Sequence, residues 1–442
     1  MPRRSMLLFL VVLLISAMGV SHAFTKDQYQ DEMRTFSQIL YQVMDSYVTE
    51  VDSKKLFAGA YRGMLSSLDP YSQYFDVQEN KSFRAGTEGE FGGVGIEINM
   101  QDGVLTVVSP IKGTPAYDAG ILPGDLILKI NGKSTERISL EEAVNTLRGE
   151  IGTKVTITVR HLGAPADNVM ELTRAKIAPS SAEAEMIDAA DGIGYMRIGS
   201  FTNQVMKDFD ACIADLQKKE MRGLVLDLRG NPGGLLEMAV EMSDRFIAAG
   251  KIVSMKGRRP ESERIFSAKP GDPLEQLPLI VLVDDGSASA SEIVAGALKD
   301  HRRALLVGVR TYGKGSVQNV FELGNGQALK LTTAKYYTPS GKPIEDRQGI
   351  VPDIYVPMPR ELLLALRNQE REDKLRGVNP LAHLMDEEIV PAVTAPPGEG
   401  GDQPDETANG NAQRRTRQVD LQLKDAVNIL KLQLPQATEA AK

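Results

Sequence analysis

The sequence predicts a mixed α/β protein with an α/β core around a largely parallel sheet, an inserted β-barrel-like domain and helical segments at both ends. From Ile187 to about Pro357, strand-like apolar runs alternate with helical ones, as in βαβ units. From about Phe83 to Ala175, short strand-like runs separated by turn residues indicate a small, partly open β-barrel. Apolar spacings of three, four and seven predict helices between about Lys26 and Asp69, and a last helix over Gln418–Leu434.

Composition excludes several classes of function. The chain has 442 residues, of which 42% are hydrophobic, and a formal net charge of −8 at pH 7. This acidic balance disfavours binding to nucleic acid or to an anionic membrane surface. Cys212 is the only cysteine of the sequence, so no intramolecular disulfide forms within it. We expect neither a metal site nor a cofactor.

Residues 1–23 have the pattern of an export signal. Arg3 and Arg4 form the basic start, Leu7–Ile15 the apolar run, and residues 21–23 supply the small residues that signal peptidase prefers. Because the apolar run is short for a membrane-spanning helix, cleavage is favoured over retention as a membrane anchor. We therefore expect an exported protein in the periplasm or another extracytoplasmic compartment.

Changes of composition divide the chain into six segments. These are the signal (1–23), an N-terminal helical segment (24–82), the β-rich insert (83–175), the α/β core (176–385), a Pro-, Gly- and acid-rich linker expected to be disordered (386–413), and a C-terminal helical segment (414–442). The N-terminal helices fit either packing on the core or dimer formation. The C-terminal segment fits either docking of an activating adaptor or oligomerisation.

The insert begins with a glycine-rich strand start. Glycines there let backbone N–H groups converge on an anion, and the next strand edge is able to pair with an extended peptide. We expect this segment to bind a C-terminal carboxylate; it consists of Phe91 followed by Gly92, Gly93, Val94, Gly95 and Ile96. A glycine cluster alone also fits a bulge or a turn. Together with Ala119–Ile127 and Ile130-Asn131-Gly132, however, the segment resembles PDZ domains.

Two strand ends of the alternating region carry small and polar residues. Leu224–Leu228 is followed by the loop 229–234, Arg-Gly-Asn-Pro-Gly-Gly, whose N–H groups lie near the positive end of the next helix. Leu277–Val283 is followed by three serines separated by alanines, with Ser289 in the middle, at a helix start. Ser289 and Glu292 also have the spacing of a capping box, which explains them without catalysis.

A lysine between glycines follows the next strand. Gly308 to Lys314 fits the core of a phosphate-binding loop, but Gly315 replaces the required hydroxyl residue and a strand-like run follows where that loop needs a helix. The histidines beyond the signal lie far from Ser289 along the chain or across a helix, which disfavours a histidine triad (His161, His301 and His383). Lys314 is the alternative base, provided that burial lowers its pKa.

Together these segments resemble the C-terminal processing peptidases, a family of serine proteases with a Ser–Lys dyad. The resemblance runs from about Leu68 to Val356 and includes Leu68-Asp69-Pro70, the insert and the segments 227–234, 286–297, 311–318 and 336–341, all in the family's order.

The resemblance implies a role for each matching residue. Ser289 is the implied nucleophile, Lys314 the general base and Gln318 the residue that positions it. The implied oxyanion hole consists of the N–H of Ala290 and of a glycine, either Gly233 or Gly234. The implied substrates are proteins or peptides with free C-termini. A non-catalytic PDZ adaptor on the same scaffold is the alternative, against which the complete set of site residues argues.

Overall fold

The structure is a computed structural model. It describes residues 29–101, 103–111, 113–161, 164, 166–271, 273–344, 348–376, 378, 389–390, 415–416 and 418–434. The expected signal, 1–23, lies outside the described residues, as does the expected linker, 386–413, apart from residues 389–390. The chain divides into two compact units, one of residues 1–76 and 320–331 and the other of residues 77–319 and 332–442.

Helices and strands are numbered in chain order. Helix α1 covers residues 29–46. Helices α2 to α10 are Ser53–Ser66, Val77–Glu88, Pro115–Asp118, Leu140–Leu147, Val205–Lys218, Leu236–Asp244, Ala290–Asp300, Arg360–Leu375 and Leu421–Gln433. Strands β1 to β21 are Gln73–Phe75, Phe91–Gly93, Ile96–Gln101, Val104–Pro110, Leu126–Ile130, Lys133–Ser134, Lys154–Arg160, Asn168–Thr173, Ala175–Ile177, Ala182–Asp188, Ile193–Ile198, Gly223–Asp227, Gly250–Gly257, Arg264–Ala268, Leu279–Val283, Leu305–Gly308, Ser316–Gly324, Gln327–Tyr337, Ile354–Tyr355, Ile389–Val390 and Arg415–Thr416.

The first unit contains the N-terminal helices. Asp52 starts α2 by accepting hydrogen bonds from the N–H groups of Lys54 and Lys55, which have no partner inside the helix. Strand β1 pairs antiparallel with residues 328–330 of β18. The ring of Tyr61 on α2 packs against the ring of Tyr74 on β1, with centroids 5.1 Å apart. The predicted N-terminal helical segment is confirmed.

The insert is an antiparallel sheet in the order β3-β4-β5-β7-β8, with β6 on β5. The sheet and helices α4 and α5 enclose one apolar core, whose fully buried residues include Leu105, Ile127 and Ile157. The strands that lead into and out of the insert, β2 and β9, pair antiparallel with each other. We call this pair the hinge ribbon, because it is where the chain enters and leaves the insert.

The core is built on a six-stranded sheet in the order β10-β11-β12-β15-β16-β19. The β10–β11 pairing is antiparallel and the other four pairings are parallel, so the predicted largely parallel sheet is confirmed. On β15, Leu279, Val281 and Val283 face the cluster formed with α6, α7 and α8, while Ile280 and Leu282 face α10. This alternation follows from the two-residue period of a strand and explains why β15 is apolar throughout.

The other face of the sheet is covered by the C-terminal helix α10. Its buried apolar residues pack against Tyr195, Val225, Ile280 and Val307; these helix residues are Leu423, Ala426, Val427 and Leu430. Lys431 also pairs with Asp188 at the end of β10, with 2.6 Å between Nζ and Oδ2. The predicted C-terminal helix is confirmed, and its described contacts are those of a core element.

Candidate active site

Ser289 occupies a sharp turn between β15 and α8. Its backbone has φ 54° and ψ −111°, a conformation that costs a residue with a side chain about 1–3 kcal/mol. The side chain is half-buried at the carboxyl end of the parallel sheet, where open α/β sheets place their active sites. A strained strand–turn–helix of this kind presents a hydroxyl at the top of the sheet.

The neighbouring serines have structural contacts. Ser287 Oγ donates a hydrogen bond to the carbonyl oxygen of Leu228 at 2.8 Å, and Ser291 Oγ donates to that of Asn231 at 2.9 Å. Both side chains are fully buried. The two serines therefore fasten the turn of Ser289 to Leu228 at the end of β12 and to Asn231 of the glycine loop 229–234.

The glycine loop lies directly against Ser289. A Cβ on Gly233 would lie 2.8 Å from the Cβ of Ser289 and 2.9 Å from the nitrogen of Ala290, whereas a Cβ on Gly234 would meet the carbonyl of Phe201 at 2.3 Å. In the structure, Gly233 therefore lies next to Ala290, whereas Gly234 lies against Phe201. The N–H of Gly233 donates to Oδ1 of Asn231 at 2.9 Å. Among the described residues, no hydrogen-bond acceptor is found for the N–H of Ala290, the first residue of α8.

Lys314 lies in the loop between β16 and β17. Its side chain is partly buried, and this burial lowers the pKa of the amine below its ordinary value of 10.5, although the carboxylate of Glu292 partly opposes the shift. A lowered pKa increases the fraction of neutral amine, which is the form that accepts a proton.

Glu292 connects the two loops. Its carboxylate is fully buried, and Oε2 accepts hydrogen bonds from the backbone N–H of Ser289 at 2.9 Å and of Lys314 at 2.7 Å. Oε1 accepts from Oγ1 of Thr311 at 2.6 Å and from the N–H of Gly313 at 2.7 Å. The sequence explained Glu292 by a capping box, and the bond to Ser289 has that pattern. The bonds to residues 311–314 could not be inferred from a local spacing.

The segment after Lys314 is an extended strand. A Cβ on Gly315 would lie 1.3 Å from the carbonyl oxygen of Ile344, so only glycine fits there. Strand β17 begins at Ser316, which contradicts the phosphate-loop alternative, since that loop requires a helix. On β17, Gln318 donates from Nε2 to Oγ of Ser316 at 2.9 Å and to Oγ1 of Thr332 at 3.3 Å, which fixes the plane of its amide.

In the insert, the predicted carboxylate-binding segment spans two elements. Gly92 and Gly93 belong to the hinge ribbon, and a Cβ on Gly92 would lie 2.1 Å from the carbonyl oxygen of Gly149. Val94 is buried, Gly95 has φ 80° and packs on Thr114, and Ile96 begins β3. The glycines at 92 and 95 are therefore explained by close packing and backbone conformation. Peptide binding by the segment remains a prediction.

A buried ion-pair network at the end of β12 was missed at the sequence level. Arg229 contacts the fully buried carboxylate of Asp227, with 2.6 Å between Nη2 and Oδ2, and Tyr195 donates its hydroxyl hydrogen to the same oxygen at 2.7 Å. Burial opposes ionisation of Asp227, but Arg229 holds its pKa below the ordinary value. Arg229 also reaches α10 through Asp420 at 2.7 Å and Gln422 at 3.0 Å. The pattern Asp-x-Arg at a strand end is the sequence feature from which this network could have been recognised.

Within the described part of the chain, no three His, Cys, Asp or Glu side chains are grouped as metal ligands. None of the described helices combines the length and the hydropathy that spanning a bilayer requires.

The fold and its matches to family models identify a peptidase with an inserted PDZ domain. Residues 192–356 match the model of peptidase family S41, residues 106–161 match a PDZ domain, and residues 16–79 match the N-terminal domain of the activating protease CtpB. The chain belongs to the carboxy-terminal-processing proteases of peptidase family S41.

Similar proteins come from several bacteria. A carboxy-terminal-processing protease of Bartonella bacilliformis is 44% identical over 351 residues, which are 78% of this chain and 80% of that protein. Carboxy-terminal processing protease CtpA of Bacillus subtilis is 38% identical over 346 residues, 78% and 72% of the two chains. Among solved structures, a photosystem II D1 C-terminal processing protease is 31% identical with a TM-score of 0.45, covering 72% of this chain and 86% of that one.

Proposed function

We propose that the chain is a serine endopeptidase that cleaves proteins with exposed, unstructured C-termini, with Ser289 and Lys314 as its catalytic pair. The observation that carries this proposal is the buried carboxylate of Glu292, one oxygen of which accepts hydrogen bonds from the backbone of both residues. The two loops are thereby held side by side at the carboxyl end of the sheet. Membership of the S41 peptidases supports the reaction class.

The proposed reaction is acyl transfer in two steps. Neutral Lys314 accepts the proton of Ser289 Oγ as this oxygen attacks the scissile carbonyl. Collapse of the tetrahedral intermediate breaks the C–N bond, and the leaving amine takes the proton from Lys314. Lys314 then deprotonates a water molecule, which attacks the ester carbonyl, and the protonated lysine gives this proton to Oγ of Ser289 as the acyl group leaves. Gln318 is proposed to orient the lysine amine, since its own amide is held by the β17–β18 hairpin.

The proposed oxyanion hole consists of the N–H groups of Ala290 and Gly233. Gly233 is favoured over Gly234 because it lies against Ser289, and Ala290 offers an N–H at a helix N-terminus. The Gly233 N–H must leave the side-chain oxygen of Asn231 to reach a substrate oxygen. We therefore propose that the loop 229–234 changes conformation when substrate is bound.

Substrate selection is assigned to the PDZ domain. The segment Gly92, Gly93, Val94, Gly95 and Ile96 is proposed to receive the C-terminal carboxylate, while the substrate backbone pairs with the edge of β3. Binding of the C-terminus to the PDZ domain is proposed to deliver the substrate chain to Ser289 and to gate the active site. The hinge ribbon, which joins the PDZ domain to the core at both connections, supports this coupling.

The proposal is tested with Ser289→Ala. The mature protein and the variant are each incubated with a disordered polypeptide that ends in an apolar C-terminus, and fragments are identified by mass spectrometry. We expect fragments from the wild type and none from Ser289→Ala, because the hydroxyl that attacks is absent. Equal cleavage by both proteins would overturn Ser289 as the nucleophile.

The same polypeptide with an amidated C-terminus is the matched control for the PDZ domain. Its cleavage is expected to be slower, because the carboxylate that the glycine segment receives is neutralised. Fragments from neither protein would leave two alternatives, an enzyme that awaits an activating adaptor or a non-catalytic PDZ adaptor.

We further propose that the protein is exported through residues 1–23. The basic start, the short apolar run and the small residues up to Ala23 support cleavage over membrane anchoring. Protein purified from expressing cells is expected to begin at Phe24 and to occur in the extracytoplasmic fraction. An intact Met1 on membrane-bound protein would contradict cleavage and support the anchor.

The chain is also proposed to form a homo-oligomer through α1. This helix exposes apolar side chains at helical spacing, among them Tyr29, Met33 and Phe36, and the match to the N-terminal domain of CtpB covers it. We expect light scattering to give at least twice the monomer mass for the wild type and a lower mass for Phe36→Glu. Gln38→Glu, which adds the same charge at an exposed polar position, is the control. A monomeric wild type would contradict the proposal.

A further inference from the structure

Glu90 lies immediately before the hinge ribbon and contacts the core. Its Oε1 accepts a hydrogen bond from Nε2 of Gln204 at 3.0 Å, and its Oε2 pairs with Nζ of Lys176, on the other strand of the ribbon, at 2.5 Å. One carboxylate therefore joins both strands of the ribbon to the residue that precedes α6. The partner residue, Gln204, belongs to a short segment, residues 201–204, which we call the coupling segment.

The coupling segment also packs tightly on the chain just before the ribbon. Gly89 has φ 74°, and a Cβ there would lie 2.6 Å from the Cβ of Thr202. Thr202 is itself buried, and its Oγ1 lies 2.7 Å from Oγ of Ser181 in a hydrogen bond. Because Gly89 and Thr202 are closely packed and Thr202 is buried, a shift of Gly89 toward the core moves Thr202.

The other end of the coupling segment holds the glycine loop. The N–H of Phe201 donates to the carbonyl oxygen of Gly233 at 3.0 Å, and the carbonyl oxygen of Phe201 accepts from the N–H of Leu235 at 2.8 Å. These backbone bonds enclose Gly234, whose missing Cβ would lie 2.3 Å from the Phe201 carbonyl oxygen. Gly233 in turn lies against Ser289. Phe201 thus holds the C-terminal end of the glycine loop, at Gly233 and Leu235.

We propose that the coupling segment transmits the position of the PDZ hinge to the oxyanion loop, and that Gln204 is a positioning residue in this route. The inference rests on the proposed function of Ser289 and Gly233. Movement of the ribbon changes the position of Glu90 and Gly89, these displace residues 202–204, and Phe201 carries the displacement to Gly233. Binding of a substrate tail in the PDZ domain then favours release of the Gly233 N–H from Asn231.

Gln204 is the residue through which the route is tested, since its link to Glu90 is made by side chains alone. The hydrogen bonds of Phe201, in contrast, are made by its backbone, so replacing the Phe201 side chain would leave them in place. Gln204→Ala removes the link to Glu90 and leaves the pair of Glu90 with Lys176. Gln217→Ala is the matched control, because Gln217 is an exposed glutamine at the far end of the same helix, α6.

The experiment measures deuterium exchange of residues 229–235 in the full chain, with and without a saturating ten-residue peptide that ends in alanine and valine with a free carboxylate. The peptide is expected to change the exchange rate roughly fivefold or more in the wild type and in Gln217→Ala, within the usual range of coupling between sites. In Gln204→Ala we expect less than half of that effect, although the peptide binds with unchanged affinity. No change in the wild type, or an equal change in Gln204→Ala, would overturn the proposal.

Kinetics and a rescue variant give a second readout. Gln204→Ala is expected to lower kcat on the tail-bearing polypeptide on the order of tenfold with little change in KM, a fraction of the cost of losing an oxyanion donor. Gln204→Glu is expected to lower kcat further, because its carboxylate then faces the carboxylate of Glu90. The double variant Glu90→Gln with Gln204→Glu is expected to recover at least part of kcat, because residue 90 then donates the hydrogen bond and residue 204 accepts it. A higher KM alone, or no recovery, would contradict a positioning role. These outcomes differ from failure of the protease itself, which Ser289→Ala reports.

Discussion

Glu292→Gln is expected to lower kcat/KM by about 100-fold or more, since small misplacements of catalytic groups have effects of this size. The carboxylate of Glu292 accepts four hydrogen bonds, two of which come from the backbone of Ser289 and Lys314. A glutamine turns one of the two oxygens into a donor, so in either orientation an NH₂ group faces N–H or O–H donors. The loops that carry Ser289 and Lys314, the proposed nucleophile and base, are then expected to separate. Cleavage of the tail-bearing polypeptide measures the effect.

Glu241→Gln is the control for this change, because Glu241 is an exposed glutamate on α7. It is expected to retain the wild-type rate. The pH profile gives a further readout: the proposed mechanism requires neutral Lys314, so the rate is expected to rise with pH through the pKa of this lysine. The carboxylate of Glu292 raises that pKa, and its neutralisation is expected to move the rising limb to lower pH. If Glu292→Gln kept the wild-type rate and pH profile, the carboxylate would not be needed to align the loops of Ser289 and Lys314.

Leu430→Ala is expected to lower the free energy of unfolding by about 2–5 kcal/mol, as for other fully buried leucines. Leu430 lies on α10 and is fully buried against the second face of the parallel sheet. The cavity left by its truncation opens beside Gly223, whose missing Cβ would lie 3.2 Å from the leucine side chain. Urea unfolding followed by circular dichroism measures the change.

Leu432→Ala is the matched control on the same helix, because Leu432 is 87% exposed. Its effect is expected to stay within about 0.5 kcal/mol, as for most surface substitutions. Equal effects of the two substitutions would show that α10 does not pack on the sheet. Loss of α10 would also leave Arg229 without Asp420, beside the loop that carries Gly233.

The local patterns of the sequence determined the classes of element and the candidate residues. Strands such as β15 were recognisable because a sheet covered on both faces needs an uninterrupted apolar run. Ser289 and Lys314 stood out because small residues surround them at strand ends. The absence of a usable histidine and the strand after Gly315 directed the interpretation to a lysine base. These inferences depend on nearest neighbours and fixed periods, which a single sequence contains.

Tertiary structure alone decided how the candidates are joined. The bonds of Glu292 to the loop of Lys314 and the contact of Gly233 with Ser289 pair residues far apart in sequence, and no spacing rule connects such positions. The C-terminal helix, left open between an activator site and oligomerisation, proved to cover the second face of the sheet and to reach Arg229. Helix α9 was not predicted at all. Local periodicity gives the direction of an apolar face, but only the packed chain determines which surface covers it.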